Sequence, residues 1–282
     1  MSKVPRVSVL TPIYNTNPVH LREMIESILN QTFTDFEFLI LNDSPDNHEI
    51  EKIVKDYAKY DKRIKYAKND KNMGITRSRN KLLKMARGEY IAIFDHDDIS
   101  MPTRLEQEVN YLDKNPYVGV VSGMLEHFGT QTYNWPYPEN DTDIRIMLCN
   151  NCYIAHTAAM IRKSVLIDNG IEYEEFYTPA EDYRLWIRLA ECTHFYNIQD
   201  VLVRYRWSDD NTTTKQLQKM ENARHAIYLE YRDKHPALYE EFKKISPYTR
   251  YRLSLFGIPL LKVKNNKVYL FGFLPIIKIK WK

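Results

Sequence analysis

Tyr90-Ile91-Ala92-Ile93-Phe94-Asp95-His96-Asp97-Asp98 reads as a short apolar strand running straight into an acidic loop. A continuous apolar run of this length, bounded by polar residues, suits a strand buried on both faces. Three upstream segments share the pattern. Val7 to Ile13 ends in Tyr14-Asn15-Thr16-Asn17-Pro18, Phe36 to Leu41 is stopped by Asn42-Asp43-Ser44-Pro45, and Ile64 to Ala67 precedes Asn69-Asp70-Lys71-Asn72-Met73-Gly74. Between them the apolar positions switch to helical spacing, first at Leu21, Met24, Ile25, Ile28 and Leu29, then at Ile50, Ile53, Val54 and Tyr57. A third helix is predicted from Gly74 to about Ala86, ended by Gly88, since glycine commonly follows a helix C-terminus. Pro102 marks the start of another helix, and Val118 to Ser122 the next strand.

This alternation predicts βαβ units and an α/β fold, a Rossmann-like, mostly parallel sheet flanked by helices. Ligands of such sheets bind beyond the carboxyl ends of the strands. Tyr14, Asp43 and Asp95 to Asp98 all follow strands, so one sheet edge should gather them in a cleft. Farther on, Glu126 to Phe176 is irregular, residues 181–190 form a short helix with Leu185, Trp186 and Leu189 on its apolar face, and Val201 to Trp207 is a strand. A helix from about Thr214 to His235 leads into the C-terminal tail.

Composition is that of an ordered globular chain: of 282 residues, 44% are hydrophobic and 27% charged. The three cysteines are too few for a disulfide scaffold, and Cys149-Asn150-Asn151-Cys152 has no second pair to complete a zinc site. Free thiols and a cytoplasmic setting are expected. No apolar run approaches the ~18 residues of a membrane span. Lys243 to Lys282 holds ten Lys and Arg and no Asp or Glu; removing that +10 from the overall +3 leaves −7 on the rest. The tail also repeats itself, Leu255-Phe256-Gly257-Ile258-Pro259 recurring as Leu270-Phe271-Gly272-Phe273-Leu274-Pro275, which predicts a basic hairpin turning near Asn265-Asn266. Such a tail suits an anionic membrane surface or a dimer contact; no nucleic-acid recognition motif accompanies the charge.

Three carboxylates within four residues repel one another unless a cation sits among them, and hard ions such as Mg²⁺ or Mn²⁺ take oxygen ligands from one or two carboxylates plus substrate phosphates. A solvated acidic turn is the plain alternative. The surrounding motifs narrow the choice. Val7 to Asn15, Ile28-Leu29-Asn30-Gln31-Thr32-Phe33, Arg77-Ser78-Arg79-Asn80 with Gly88-Glu89-Tyr90-Ile91, Phe94 to Asp98 with Pro102-Arg104-Leu105, and Glu181 to Leu189 occur in one order over residues 4–210. In that order they resemble the family-2 glycosyltransferases of the GT-A fold.

The resemblance implies a donor site in which Thr11, Pro12 and Tyr14 border the nucleotide base and Asp43 accepts a hydrogen bond from it, favouring uracil. Arg79 would approach the diphosphate or nucleoside, with Asp95 and His96 beside it. Asp97 would be the direct ligand of a divalent metal, Mn²⁺ or Mg²⁺, supported by Asp95. Asp182 matches the catalytic base, which takes the acceptor hydroxyl's proton. Asp98, His156, Glu181 and Trp207 are acceptor-side candidates. Turn or helix-cap duty is the structural alternative for Asp43, and helix-dipole charge for Glu181 and Asp182. A lone histidine such as His156 is more often structural, and Trp207, where relatives often carry histidine, either stacks on a sugar or packs.

The expected organisation is a GT-A domain over 1–212, with a nucleotide-sugar half (1–122) and an acceptor half (123–212), followed by a helical and basic extension over 213–282. The expected function is inverting, metal-dependent transfer of a hexosyl or N-acetylhexosaminyl group from a UDP-sugar to a glycan or lipid-linked acceptor. Its setting would be bacterial lipopolysaccharide or capsule assembly, peripheral on the inner face of the cytoplasmic membrane. A polyprenyl-phosphate glycosyltransferase and a non-catalytic nucleotide- or glycan-binding protein are the alternatives.

Overall fold

A computed structural model describes residues 3–130, 132, 136–208 and 216–245, together with the backbone of four strands between 253 and 278. The chain divides into two compact units, Met1–Tyr231 and Arg232–Lys282. In the first, β1 (Val7–Ile13), β2 (Phe36–Asn42), β3 (Ile64–Lys68) and β4 (Tyr90–Ile93) alternate with α1 (Pro18–Leu29), α2 (His48–Tyr60) and α3 (Ile75–Met85). There follow β5 (Ile99–Ser100), α4 (Arg104–Lys114), β6 (Val118–Gly129), α5 (Asp141–Met147), β7 (Met160–Arg162), α6 (Lys163–Asp168), α7 (Glu181–Leu189) and β8 (His194–Trp207), and then α8 (Leu217–Lys234), whose last residues belong to the second unit.

The eight strands of the first unit lie in the order β3-β2-β1-β4-β7-β6-β8-β5. β3, β2, β1 and β4 run parallel, as the alternation predicts. β7 is inserted antiparallel between β4 and β6, and β8 returns parallel to β6. The β1 register decides where the site forms: Ile13 pairs with Asn42 and Leu10 with Ile93. Tyr14, Asp43 and Asp95 therefore leave the sheet at one edge.

Every residue of β1 and β2 is buried, as continuous apolar runs require. On one face Val7, Val9, Ile13, Phe36, Phe38 and Ile40 pack with Leu21, Met24, Ile25 and Ile28 of α1 and Ile50, Ile53 and Val54 of α2. Trimming any of the isoleucine, leucine, methionine or phenylalanine side chains to alanine should cost about 2–5 kcal/mol. α1 begins at Pro18, where the missing N–H costs nothing, and the Asn17 side chain accepts from the Val19 and His20 amides.

Two expectations need correction. Gly88 does not cap α3, whose C-cap is Ala86 in an extended conformation. Instead, a Cβ at Gly88 would lie 2.6 Å from the Ser8 backbone nitrogen, so glycine is required for the close approach to β1. The strand expected to stop at Ser122 continues to Gly129, because β8 pairs with it as far as Gly129–Trp207. A partner so distant in sequence leaves no local signal at Glu126, His127 and Phe128.

The predicted helix before the tail is α8; Thr214 lies outside the described residues. In the second unit, α9 (Pro236–Ile245) precedes β9 (Leu253–Leu255), β10 (Ile258–Lys264), β11 (Lys267–Leu270) and β12 (Leu274–Lys278), an antiparallel sheet in the order β12-β11-β10-β9. The Lys264–Lys267 pair closes the predicted hairpin, while Asn265 and Asn266 lie outside the described residues. Among the described residues no helix is long and apolar enough to cross a membrane.

Candidate active site

Short polar bonds fasten the loops after β1, β2 and β4 to one another. The Asn15 amide donates to Ser44 Oγ at 3.1 Å, Asn47 Nδ2 donates to Asn15 Oδ1 at 3.2 Å, and Thr16 Oγ1 lies 3.1 Å from His96 Nδ1. Asn15 takes the left-handed conformation, with φ of 45°, which asparagine tolerates better than most residues. Tyr14 is half exposed at this edge, whereas Thr11 and Pro12 are buried beneath it. Asp43 is buried too, and its carboxylate is largely engaged by the chain itself. Oδ1 accepts from Asn69 Nδ2 at 2.7 Å and the Met73 amide at 2.8 Å, and Oδ2 accepts from the Gly74 amide at 2.9 Å. Asp43 thus shapes the Asn69–Gly74 loop at the start of α3. A groove of about 340 Å³ lies beside that loop, lined by Asn69, Asp70, Lys71, Met73, Arg77 and Lys81; Asp95, Asp97 and Asp182 are not among its lining.

The acidic loop is suspended between two elements far along the chain. The Asp95 amide donates to Thr157 Oγ1 at 3.1 Å, and Asp98 Oδ1 accepts from the Arg206 amide of β8 at 2.8 Å. Arg206 also donates through Nε to the Asp97 carbonyl at 2.7 Å and through Nη2 to Glu23 at 2.6 Å. Asp98 is fully buried; burial, followed by repulsion from Asp97 and Asp95, raises its carboxyl well above the ordinary range. Beneath the loop, buried Arg104 donates through Nη2 to the Ile93 carbonyl at 2.8 Å and pairs with buried Glu108. Arg104 therefore fixes the end of the strand that carries Asp95.

Among the described residues, the Asp97 carboxylate makes no hydrogen bond or ion pair, and no three His, Cys, Asp or Glu side chains converge to form a metal cage. One open carboxylate with Asp95 nearby fits a hard cation that draws its remaining ligands from a diphosphate and water. It does not fit a structural metal held by protein alone.

Arg79 joins this loop to the opposite wall. Nη2 lies 3.1 Å from Asp95 Oδ1 and Nη1 lies 2.6 Å from Glu181 Oε1, with the guanidinium over the Tyr173 ring. Burial opposes the Arg79 charge, but Asp95 and Glu181 more than offset it and raise its pKa; in return Arg79 holds Asp95 below its ordinary value against burial. Next in the chain stands Asp182, at the N-terminus of α7. Burial, then repulsion from Glu181, raises its pKa to about 6, and the Tyr183 amide donates to its Oδ1 at 2.7 Å.

His156 lies behind Arg79, with Nε2 2.9 Å from the Tyr173 hydroxyl. Burial, then the Arg79 charge, lowers its pKa to about 3, so it is a neutral, hydrogen-bonded wall residue. Trp207 follows Arg206 at the end of the β6–β8 ladder, and its ring meets those of Tyr205 and His127. Cys149, Cys152 and Cys192 form no disulfide with one another; burial, then the Asp182 charge, raises the Cys152 thiol.

The structure therefore brings Asp43, Arg79, Asp95, His96, Asp97, Glu181 and Asp182 into one connected region. Sequence reasoning missed Thr157, Tyr173, Arg206 and the role of Arg104. Only Arg104 had a local signal, a charged pair with Glu108 at i,i+4 amid the apolar residues Leu105, Val109 and Leu112.

A sequence model described as glycosyl transferase family 2 matches residues 8–170, more than half of the chain. The chain belongs to glycosyltransferase family 2. This glycosyltransferase is 31% identical over 208 residues to the O-antigen biosynthesis glycosyltransferase WbnJ of Escherichia coli, covering 72% of this chain and 80% of WbnJ. Its fold matches S. aureus TarS 1-349 in complex with UDP-GlcNAc, with a TM-score of 0.66, 19% identity and coverage of 86% and 76% of the two chains. It also matches the mannosyltransferase PcManGT of Pyrobaculum calidifontis in complex with GDP-Man and Mn²⁺, with a TM-score of 0.62, 16% identity and coverage of 86% and 70%. The enzyme is a GT-A glycosyltransferase, with structural neighbours that bind nucleotide sugars.

Proposed function

We propose that this enzyme transfers a sugar from a UDP-sugar to a glycan or lipid-linked acceptor with inversion, using Asp182 as base and a divalent cation at Asp97. The observation that carries this reading is the Arg79 bridge, which ties Asp95 of the acidic loop to Glu181, the neighbour of Asp182. A base on one side and a leaving-group site on the other suit single displacement. The acceptor oxygen attacks the anomeric carbon, its proton passes to Asp182, and the bond to the nucleoside diphosphate breaks. A pKa near 6 leaves Asp182 ionised at neutral pH yet more basic than an ordinary carboxylate. Arg79 Nε is buried without a hydrogen-bond partner, so one donor remains for the ribose or diphosphate. The cation, when bound, offsets charge developing on the departing diphosphate.

In this reading Tyr14 flanks the base, and Asp43 offers a base N–H the acceptor capacity that its own loop leaves over. His96 holds the β1 loop through Thr16, and Asp98 braces the acidic loop from below rather than touching acceptor. The structural neighbours include both UDP-sugar and GDP-sugar complexes; the preference for uracil rests on Asp43. A role in surface-polysaccharide assembly is supported by the likeness to WbnJ. The basic 246–282 segment would add contact with an anionic membrane, testable by vesicle flotation with and without it.

A nucleotide-sugar panel with Mn²⁺, scored by nucleoside diphosphate release, tests the assignment. Asp97→Ala and Asp182→Asn should both lose transfer, while Asp182→Asn still binds UDP. Full transfer by Asp182→Asn would remove it as the base.

A further inference from the structure

The register of the C-terminal sheet sorts its residues onto two chemically different faces. Residues paired directly across neighbouring strands share a face, and successive residues along a strand alternate between faces. Lys264 pairs with Lys267, and Lys267 with Lys278, so one row across β10, β11 and β12 consists of lysines alone. Lys262, two residues before Lys264, pairs with Tyr269 on that same face. The adjoining row, Val263 with Val268 and Val268 with Ile277, belongs to the opposite face, as do Leu261, Leu270 and Leu274.

Like charges placed directly opposite one another weaken a sheet. Lysines can guard an exposed edge, but the edges here are β12 and β9, whereas Lys262, Lys264 and Lys267 stand on the interior strands β10 and β11. No Asp or Glu occurs from Lys243 to Lys282 to offset the row. An anionic partner laid across this face would turn the repulsion into attraction.

We propose that this lysine face, and not the charge of the tail in general, docks on an anionic membrane. The inference deepens the membrane reading given above and rests on it. The occupant follows from the arrangement. Neighbouring strands lie ~4.8 Å apart and alternate residues ~7 Å apart along a strand, so the lysine positions spread over two dimensions of the sheet. Lipid phosphates distributed over a plane match such an array, and each lysine near the headgroups adds to binding. A single nucleic-acid strand would instead follow a linear groove. Tyr269, placed among the lysines by its pairing with Lys262, is of the type enriched at headgroup level.

Vesicle flotation of the full chain tests the proposal with two variants that lose equal charge. The face variant combines Lys262→Gln, Lys264→Gln, Lys267→Gln and Lys278→Gln; the control combines Lys243→Gln, Lys244→Gln, Arg250→Gln and Arg252→Gln. Wild type should float with vesicles containing phosphatidylglycerol and not with pure phosphatidylcholine. The face variant should bind the anionic vesicles about a hundredfold more weakly or worse, and the control less than about tenfold more weakly. The thermal midpoint of the face variant should equal or exceed that of wild type, because a repulsion is removed. Equal losses in the two variants would leave the membrane reading standing and overturn the face, as would a midpoint that falls in the face variant. Equal flotation with phosphatidylcholine would also overturn it, by showing that the aliphatic residues drive binding. Binding of single-stranded DNA without vesicle binding would assign the lysines to nucleic acid and overturn it too. A wild type that floats with neither vesicle would strike the membrane reading itself.

Discussion

Along the β1–β2–β4 edge, Tyr14, Asp43 and Asp95 each follow their own strand by one or two residues, and the parallel register alone sets them side by side. Around Asp182 the wall is assembled from Arg79 of α3, His156, Tyr173 and Glu181, segments that only the tertiary fold brings together. The first arrangement is local and repeats with each βα unit. The second depends on one buried cation shared by two carboxylates. The edge should therefore tolerate loss of single bonds, whereas the wall should fail as a unit.

The sharpest way to break this contrast is Arg79→Met. Glu181 and Asp95 would be left largely buried without a cation, at a cost of about 3–5 kcal/mol in urea unfolding. Nucleotide-sugar affinity and turnover should fall together. A loss confined to donor affinity would mean that the two sides are independent. Arg104→Met should cost a similar ~3–5 kcal/mol, because fully buried Glu108 loses its partner, and an added Glu108→Leu should recover most of it.

Glu108 also sets a pH test. Burial, opposed by Arg104, raises its pKa to about 7. A folded-state pKa above the unfolded one contributes stability at low pH that fades as pH rises through 7. Wild type should therefore lose stability between about pH 5 and 8 relative to Glu108→Gln. The smallest effect belongs to the edge: Ser44→Ala removes one acceptor for the Asn15 amide and should cost about 1 kcal/mol, with a few-fold weaker donor binding.

The same contrast explains what could be read before the structure. Buried parallel strands announce themselves as apolar runs, and polar residues directly after them gather at one sheet edge, so the placement of Asp43, Asp95 and Asp97 was legible one segment at a time. The full length of β6 was not, because its pairing with β8 lies some 75 residues away in sequence and its polar residues hide the strand. Arg206 was invisible for the same reason: its role is to hold Asp97 and Asp98 from the end of β8. Asp43 looked like a base acceptor, yet most of its hydrogen-bonding capacity goes to the Asn69–Gly74 loop, a use that only coordinates disclose. Gly88 misled in a different way, since a glycine needed for close backbone approach looks identical to one needed for a helix cap.

In the proposed mechanism Asp182 is the base, and burial first and the Glu181 charge second keep its pKa high. The pH dependence of kcat/KM for wild type and Glu181→Gln tests it most directly. In the wild type the rate should rise with pH through about 6 as Asp182 loses its proton, then level. Removing the Glu181 charge takes away a repulsion and leaves Arg79 with one fewer competing carboxylate; both changes lower the Asp182 pKa, so the acid limb should move to lower pH. A limb that stays in place, or that persists in Asp182→Asn, would contradict the account.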